Sequence, residues 1–92
     1  MNNEDFDMLY WHAVNTMRLG SFKTASQYFR YCYNERKDFF TGLGLSYCLL
    51  RHGDTASAKD ALKELDRLIN THRQRRLYER LERRLATHAL NS

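Results

Sequence analysis

Apolar residues recur at helical spacing along almost the whole chain, and the pattern breaks wherever glycine or a cluster of Asn, Asp and Ser appears. A first helix carries Phe6, Met8, Leu9, Tyr10, Trp11, Val14 and Met17, with Asp5 or Asp7 as its cap and Gly20 as its stop. Ser21 opens a second, with Phe22, Ala25, Tyr28, Phe29 and Cys32 on its inner side, fading at Asn34. Asp38 starts a third from Phe39 to Arg51, which Gly53 ends as Gly20 ended the first. A fourth, capped by Asp54 or Thr55, turns Ala58, Ala61, Leu62, Leu65, Leu68 and Ile69 inward. After the break at Asn70-Thr71-His72, a fifth carries Leu77, Tyr78, Leu81 and Leu85 among arginines. The pattern predicts an all-α protein of about five antiparallel helices.

The chain also matches itself. Leu19-Gly20-Ser21-Phe22-x-x-Ala25-x-x-x-Phe29 aligns with His52-Gly53-Asp54-Thr55-x-x-Ala58-x-x-x-Leu62 at an offset of 33 residues, and Ala13 with Ser46 and Cys32 with Leu65 fall in step. Two antiparallel helices need a residue that tolerates positive φ between them, a small residue where their backbones cross closely and a bulky apolar one where they diverge. A period in the thirties therefore predicts stacked helical hairpins.

Composition narrows the possibilities. With 92 residues there is room for one core, and the absence of proline together with only four glycines removes most of what all-β turns are made from. At 42% hydrophobic and 28% charged, the chain is too apolar for disorder and too charged to insert into a membrane. Its opening residues lack the basic-then-apolar order of a secretory signal, and two cysteines make no disulfide framework, so a reducing cytosol is the expected compartment. The net charge of +4 is local: residues 1–46 hold five Lys/Arg against five Asp/Glu, and residues 47–92 ten against six.

Glycine, Phe and small residues at these places resemble the tetratricopeptide repeat. Gly20, Phe22, Ala25 and Phe29 carry the likeness in one repeat, about residues 6–38, and Gly53, Ala58 and Leu62 in a second, about 39–71, with a capping helix over about 73–90. The sequence departs from the family in having Ala13 and Ser46 where Gly is favoured, no closing proline, and a period of 33. The resemblance implies a concave face lined by the first helix of each hairpin. Counting back from each glycine, the family's inward positions fall on Asp7, Tyr10, Val14, Met17 and Arg18, then on Phe40, Leu43, Tyr47, Leu50 and Arg51. Such a groove is mostly apolar, so an amphipathic helix suits it better than the acidic tail that some members of the family grip.

A chain this short, with an apolar groove and a first helix rich in Trp and Tyr, is similar to the cytosolic chaperones of bacterial type III secretion that hold the needle subunit. That likeness implies that Tyr10, Val14, Met17, Phe40, Leu43, Tyr47 and Leu50 receive the C-terminal helix of a needle subunit. It implies too that Phe6, Met8, Leu9 and Trp11 meet a small helical co-chaperone. Binding would store a polymerising subunit as a monomer. A scaffold or adaptor for another peptide is the alternative.

Other chemistry finds weaker footing. Cys48 and His52 share a helix face, but two ligands do not make a zinc site, and a nucleophilic Cys48 lacks an orienting third group. Gly42-x-Gly44 has no basic residue after it to cradle phosphate and fits close helix contact instead. Neither a cofactor nor catalysis is expected. Arg73, Arg75, Arg76, Arg80, Arg83 and Arg84 could lie against nucleic acid, yet Glu79 and Glu82 stand among them, and a solvated capping face is the expected role.

Overall fold

The computed structural model describes residues 2–91, and side chains as far as residue 88. Five helices follow one another: α1 (Asn3–Arg18), α2 (Phe22–Glu35), α3 (Phe39–His52), α4 (Thr55–Leu65) and α5 (His72–Asn91), with a single 3₁₀ turn at Asp66–Leu68 after α4. Each packs antiparallel on its neighbour, so α1, α3 and α5 form one layer and α2 with α4 the other. The shortest extent of the molecule, 18 Å, is what two helix layers with axes ~10 Å apart require.

The internal match is built into both hairpins. Gly20 and Gly53 take φ of +85° and +99°, the left-handed conformation that only glycine adopts freely. Both turns close the same way: Gly20 N–H donates to the Met17 carbonyl at 2.9 Å and Ser21 N–H to that of Thr16 at 3.2 Å, while Gly53 donates to Leu50 at 3.1 Å and Asp54 to Leu49 at 2.9 Å. Beneath them the paired residues Ala13 and Ser46, Ala25 and Ala58, Phe29 and Leu62, and Cys32 and Leu65 are all buried. Small residues at the crossings let the helices approach, and Phe29 and Leu62 fill the space where they part.

Caps differ in places from the sequence expectation. Asn2, not Asp5 or Asp7, caps α1, its side-chain oxygen accepting from Asp5 N–H at 2.8 Å. An amide three residues before Asp5 therefore serves, and Asp5 lies in the first turn, where the helix dipole favours a carboxylate. Asp38 and Asp54 cap α3 and α4 by accepting from Thr41 N–H at 3.3 Å and Ser57 N–H at 3.2 Å. Thr71 caps α5 through Gln74 N–H at 3.1 Å. Helix α4 stops at Leu65, so Leu68 and Ile69 reach the core from the 3₁₀ turn and an extended residue rather than from the helix itself.

The buried hydroxyls of Ser46 and Thr41 are satisfied close to home. The Ser46 hydroxyl donates to the Gly42 carbonyl at 2.9 Å, and that of Thr41 to the Asp38 carboxylate at 3.0 Å. Burial pushes the Cys48 thiol up to about 12, and burial with the nearby Glu64 carboxylate pushes the Tyr33 phenol up to about 12. Both groups are acids held neutral by the fold, with ordinary values of ~8.5 and ~10 in an unfolded chain. Their contribution to stability is full below about pH 8.5 and is lost as pH rises toward 12. Urea unfolding at stepped pH is expected to give flat stability through neutrality and a decline from about pH 9. Stability that stayed level to pH 11 would contradict this account.

Candidate functional site

The layer formed by α1, α3 and α5 is not flat. Between the three helices runs an open groove of about 460 Å³. From α1 it takes Tyr10, Val14 and Met17, which stand on one face at spacings of four and three residues. Helix α3 supplies Phe40, Leu43, Gly44 and Tyr47, and α5 supplies Leu77, Arg80, Leu81 and Arg84. Phe29 of α2 reaches the floor from the second layer, because Gly44 leaves room for its ring.

Aromatic side chains hold the groove in shape. Tyr10 meets Phe29 edge to face with ring centres 6.0 Å apart, and Tyr47 meets Phe22 in the same way at 6.0 Å. Phe40, 40% exposed, stands with its edge toward the buried Phe39. Burial, with the Asp38 carboxylate and Cys32 contributing, raises the Tyr10 phenol above its ordinary value, so it faces the groove neutral. The charge in the groove comes from its α5 wall, where Arg80 and Arg84 stand, and among the described residues no carboxylate lines it.

Of the seven apolar residues that the needle-chaperone likeness assigns to the groove, six come together there: Tyr10, Val14, Met17, Phe40, Leu43 and Tyr47. Leu50 is set apart. It is buried at 4% exposure and borders a separate dent with Arg51, Arg84 and His88. Asp7 also lies elsewhere, on the outer face of α1 with Glu4, Met8, Trp11, His12 and Asn15.

On that outer face only part of the expected apolar surplus reaches solvent. Met8 and Trp11 are 69% and 58% exposed, and Leu9 is half-buried. Phe6 is buried, with the Arg36 guanidinium lying 4.3 Å from its ring centre while the same side chain bonds that of Asn3. Arg36 folds back from the end of α2 and shields an aromatic ring that the first helix alone could not cover.

The contribution of α5 went unread in the sequence, where its arginines look like a solvated cap. Its signal was the same period: Leu77 stands 33 residues after Gly44, Arg80 33 after Tyr47, and Arg84 33 after Arg51, itself 33 after Arg18. Helix α5 thus occupies the place of the first helix of a third hairpin. Arg75 turns away from the groove and pairs with Asp66 at 3.1 Å.

Cys48 is fully buried, whereas His52 sits exposed at the end of α3, so the two do not converge. Among the described residues no group of three or more His, Cys, Asp or Glu side chains is placed to hold a metal ion, and no helix is long and apolar enough to cross a membrane. Comparison with family models, curated proteins and solved structures finds no significant match. Fold and surface together define a small all-helical, repeat-like domain with exposed apolar residues.

Proposed function

We propose that this protein is a non-enzymatic chaperone of the type III secretion needle-subunit kind, working in the bacterial cytosol. It holds an amphipathic helix of a polymerising subunit in the groove between α1, α3 and α5. The observation that carries the reading is the groove itself: an open apolar trough of about 460 Å³ framed by three helices. Its anchors come from different helices and are spread along them, as successive turns of a guest helix demand. Apolar surface of this kind is normally covered in solution. While the guest's assembly helix lies in the trough it cannot join a filament, so binding competes directly with polymerisation.

Met8 and Trp11, bordered by Glu4 and Asp7 on the outer face of α1, supply a second contact for a small helical co-chaperone. Because both side chains already face solvent, Trp11→Asp is expected to leave helicity and melting temperature unchanged. It should shift the isolated chain toward monomer in sedimentation at tens of micromolar. A chain that is monomeric at that concentration with or without the substitution would show that no partner docks on this face.

Function itself is tested by light scattering with a purified type III needle subunit. An equimolar amount of this protein is expected to suppress polymerisation, and a tenfold excess of subunit to overcome it. An unchanged polymerisation rate would overturn the proposal.

A further inference from the structure

Two cations converge where the groove meets the dent beside it. The Arg51 guanidinium lies 5.7 Å from the Tyr47 ring centre and 4.5 Å from that of Phe22, and it donates to the Tyr47 hydroxyl oxygen at 2.8 Å. Arg84 reaches the same tyrosine from α5, with its guanidinium 5.5 Å from the ring centre. Arg84 borders both the groove and the dent, where Leu50, Arg51 and His88 join it.

Neither arginine is in an ion pair among the described residues, although Arg75 and Lys37 have found Asp66 and Glu64. Among the described residues neither the groove nor the dent is lined by Asp or Glu. Like charges held near one aromatic ring repel each other, and the ring can offset only part of that. An anion is the complement this exposed pair lacks, and a molecule that fills the groove is placed to supply it.

Resting on the helix-binding reading above, we propose that Tyr47, Arg51 and Arg84 form a carboxylate subsite at the edge of the groove. The docked helix carries an Asp or Glu side chain beside its apolar anchors and places it between the two guanidiniums. Apolar anchors give the guest its affinity, and the carboxylate selects which helix enters and in which register. A phosphate backbone fits less well, because the cations sit against an apolar trough and not along a continuous basic track.

The test uses synthetic amphipathic peptides of about 18 residues with blocked ends, Leu anchors at helical spacing and Glu flanking those anchors, beside twins carrying Gln or Lys there. Fluorescence anisotropy at near-physiological salt is expected to show the Glu peptide binding about tenfold more tightly than the Gln twin, with the Lys twin weakest. Arg51→Gln and Arg84→Gln, each checked for unchanged helicity, should collapse the difference between Glu and Gln twins. Arg84→Lys should keep part of it.

Equal binding of the Glu and Gln twins would overturn the subsite and leave the groove reading standing. Failure of every peptide to bind would take the groove reading down with it. If a Gln twin with a free C-terminus matched the blocked Glu peptide, the anion would be a terminal carboxylate and the side-chain assignment would be wrong. Displacement of the Glu peptide by a single-stranded oligonucleotide at micromolar concentration would likewise overturn it.

Discussion

Val14→Asp is expected to weaken capture of a guest helix by about a hundredfold while leaving the helical circular dichroism intact. Val14 is half-buried on the α1 side of the groove, between Tyr10 and Met17, so its side chain touches both the core and the space a guest would occupy. Without a guest, water reaches an aspartate there and the cost to folding is small. With a guest, the carboxylate is shut into an apolar contact at a cost of roughly 2–3 kcal/mol, which is about a hundredfold in affinity. The choice of residue follows from the charge layout. A carboxylate introduced at Tyr47 would stand near Arg51 and Arg84 and be compensated, whereas α1 supplies no cation to the groove lining. Gln27→Asp, on the exposed side of α2, is the control. Capture of the needle subunit or of a model amphipathic peptide is the measurement, and an affinity within threefold of the parent would remove Val14 from the site.

Hairpin geometry and most of the groove were legible in the sequence because they depend on local rules. Positive φ at Gly20 and Gly53, a small residue at each crossing and apolar spacing along α1 leave marks that pattern and self-comparison recover. The rest depends on partners distant in the chain. Phe6 reads as surplus surface until Arg36 is seen lying over it, a contact between the start of α1 and the end of α2. Leu50 keeps the register of the groove positions, yet its side chain is buried instead of lining the trough. Arginines on α5 read as solvated, since nothing in their own helix says that Tyr47 and the groove lie beneath Arg84. Only the 33-residue period, carried one step beyond the second hairpin, tells Arg84 from its neighbours.

The same two-layer packing makes Gly44 the position where one substitution should do most harm. A Cβ added at Gly44 would lie 2.7 Å from Phe29 Cε1 and 2.8 Å from its Cζ, and at Gly42 2.8 Å from Leu65 Cδ1 and 2.9 Å from Tyr33 Cε1. These glycines have ordinary helical φ, so they are present for proximity alone. Phe29 cannot give way cheaply: it is 1% exposed, its ring is held edge-on by Tyr10, and it fills the gap where α1 and α2 diverge. Replacing glycine within a helix recovers ~1 kcal/mol of propensity for alanine and less for a β-branched residue, against overpacking of roughly 1–3 kcal/mol for each site that cannot relax. Gly44→Ala should therefore be mildly destabilising. Gly44→Val, with two more methyl groups aimed at the same ring, should lose about 3 kcal/mol and lower the melting temperature by roughly 12–20 °C for a domain of this size. Gly20→Ala offers the contrast, since a Cβ there meets nothing within 4 Å and only the φ of +85° opposes it, a cost of about 1 kcal/mol. Thermal unfolding of the three variants checks the order. Gly44→Val melting within a few degrees of the parent, or above Gly20→Ala, would mean that α2 and α3 do not approach as closely as the Phe29 and Gly44 contact requires.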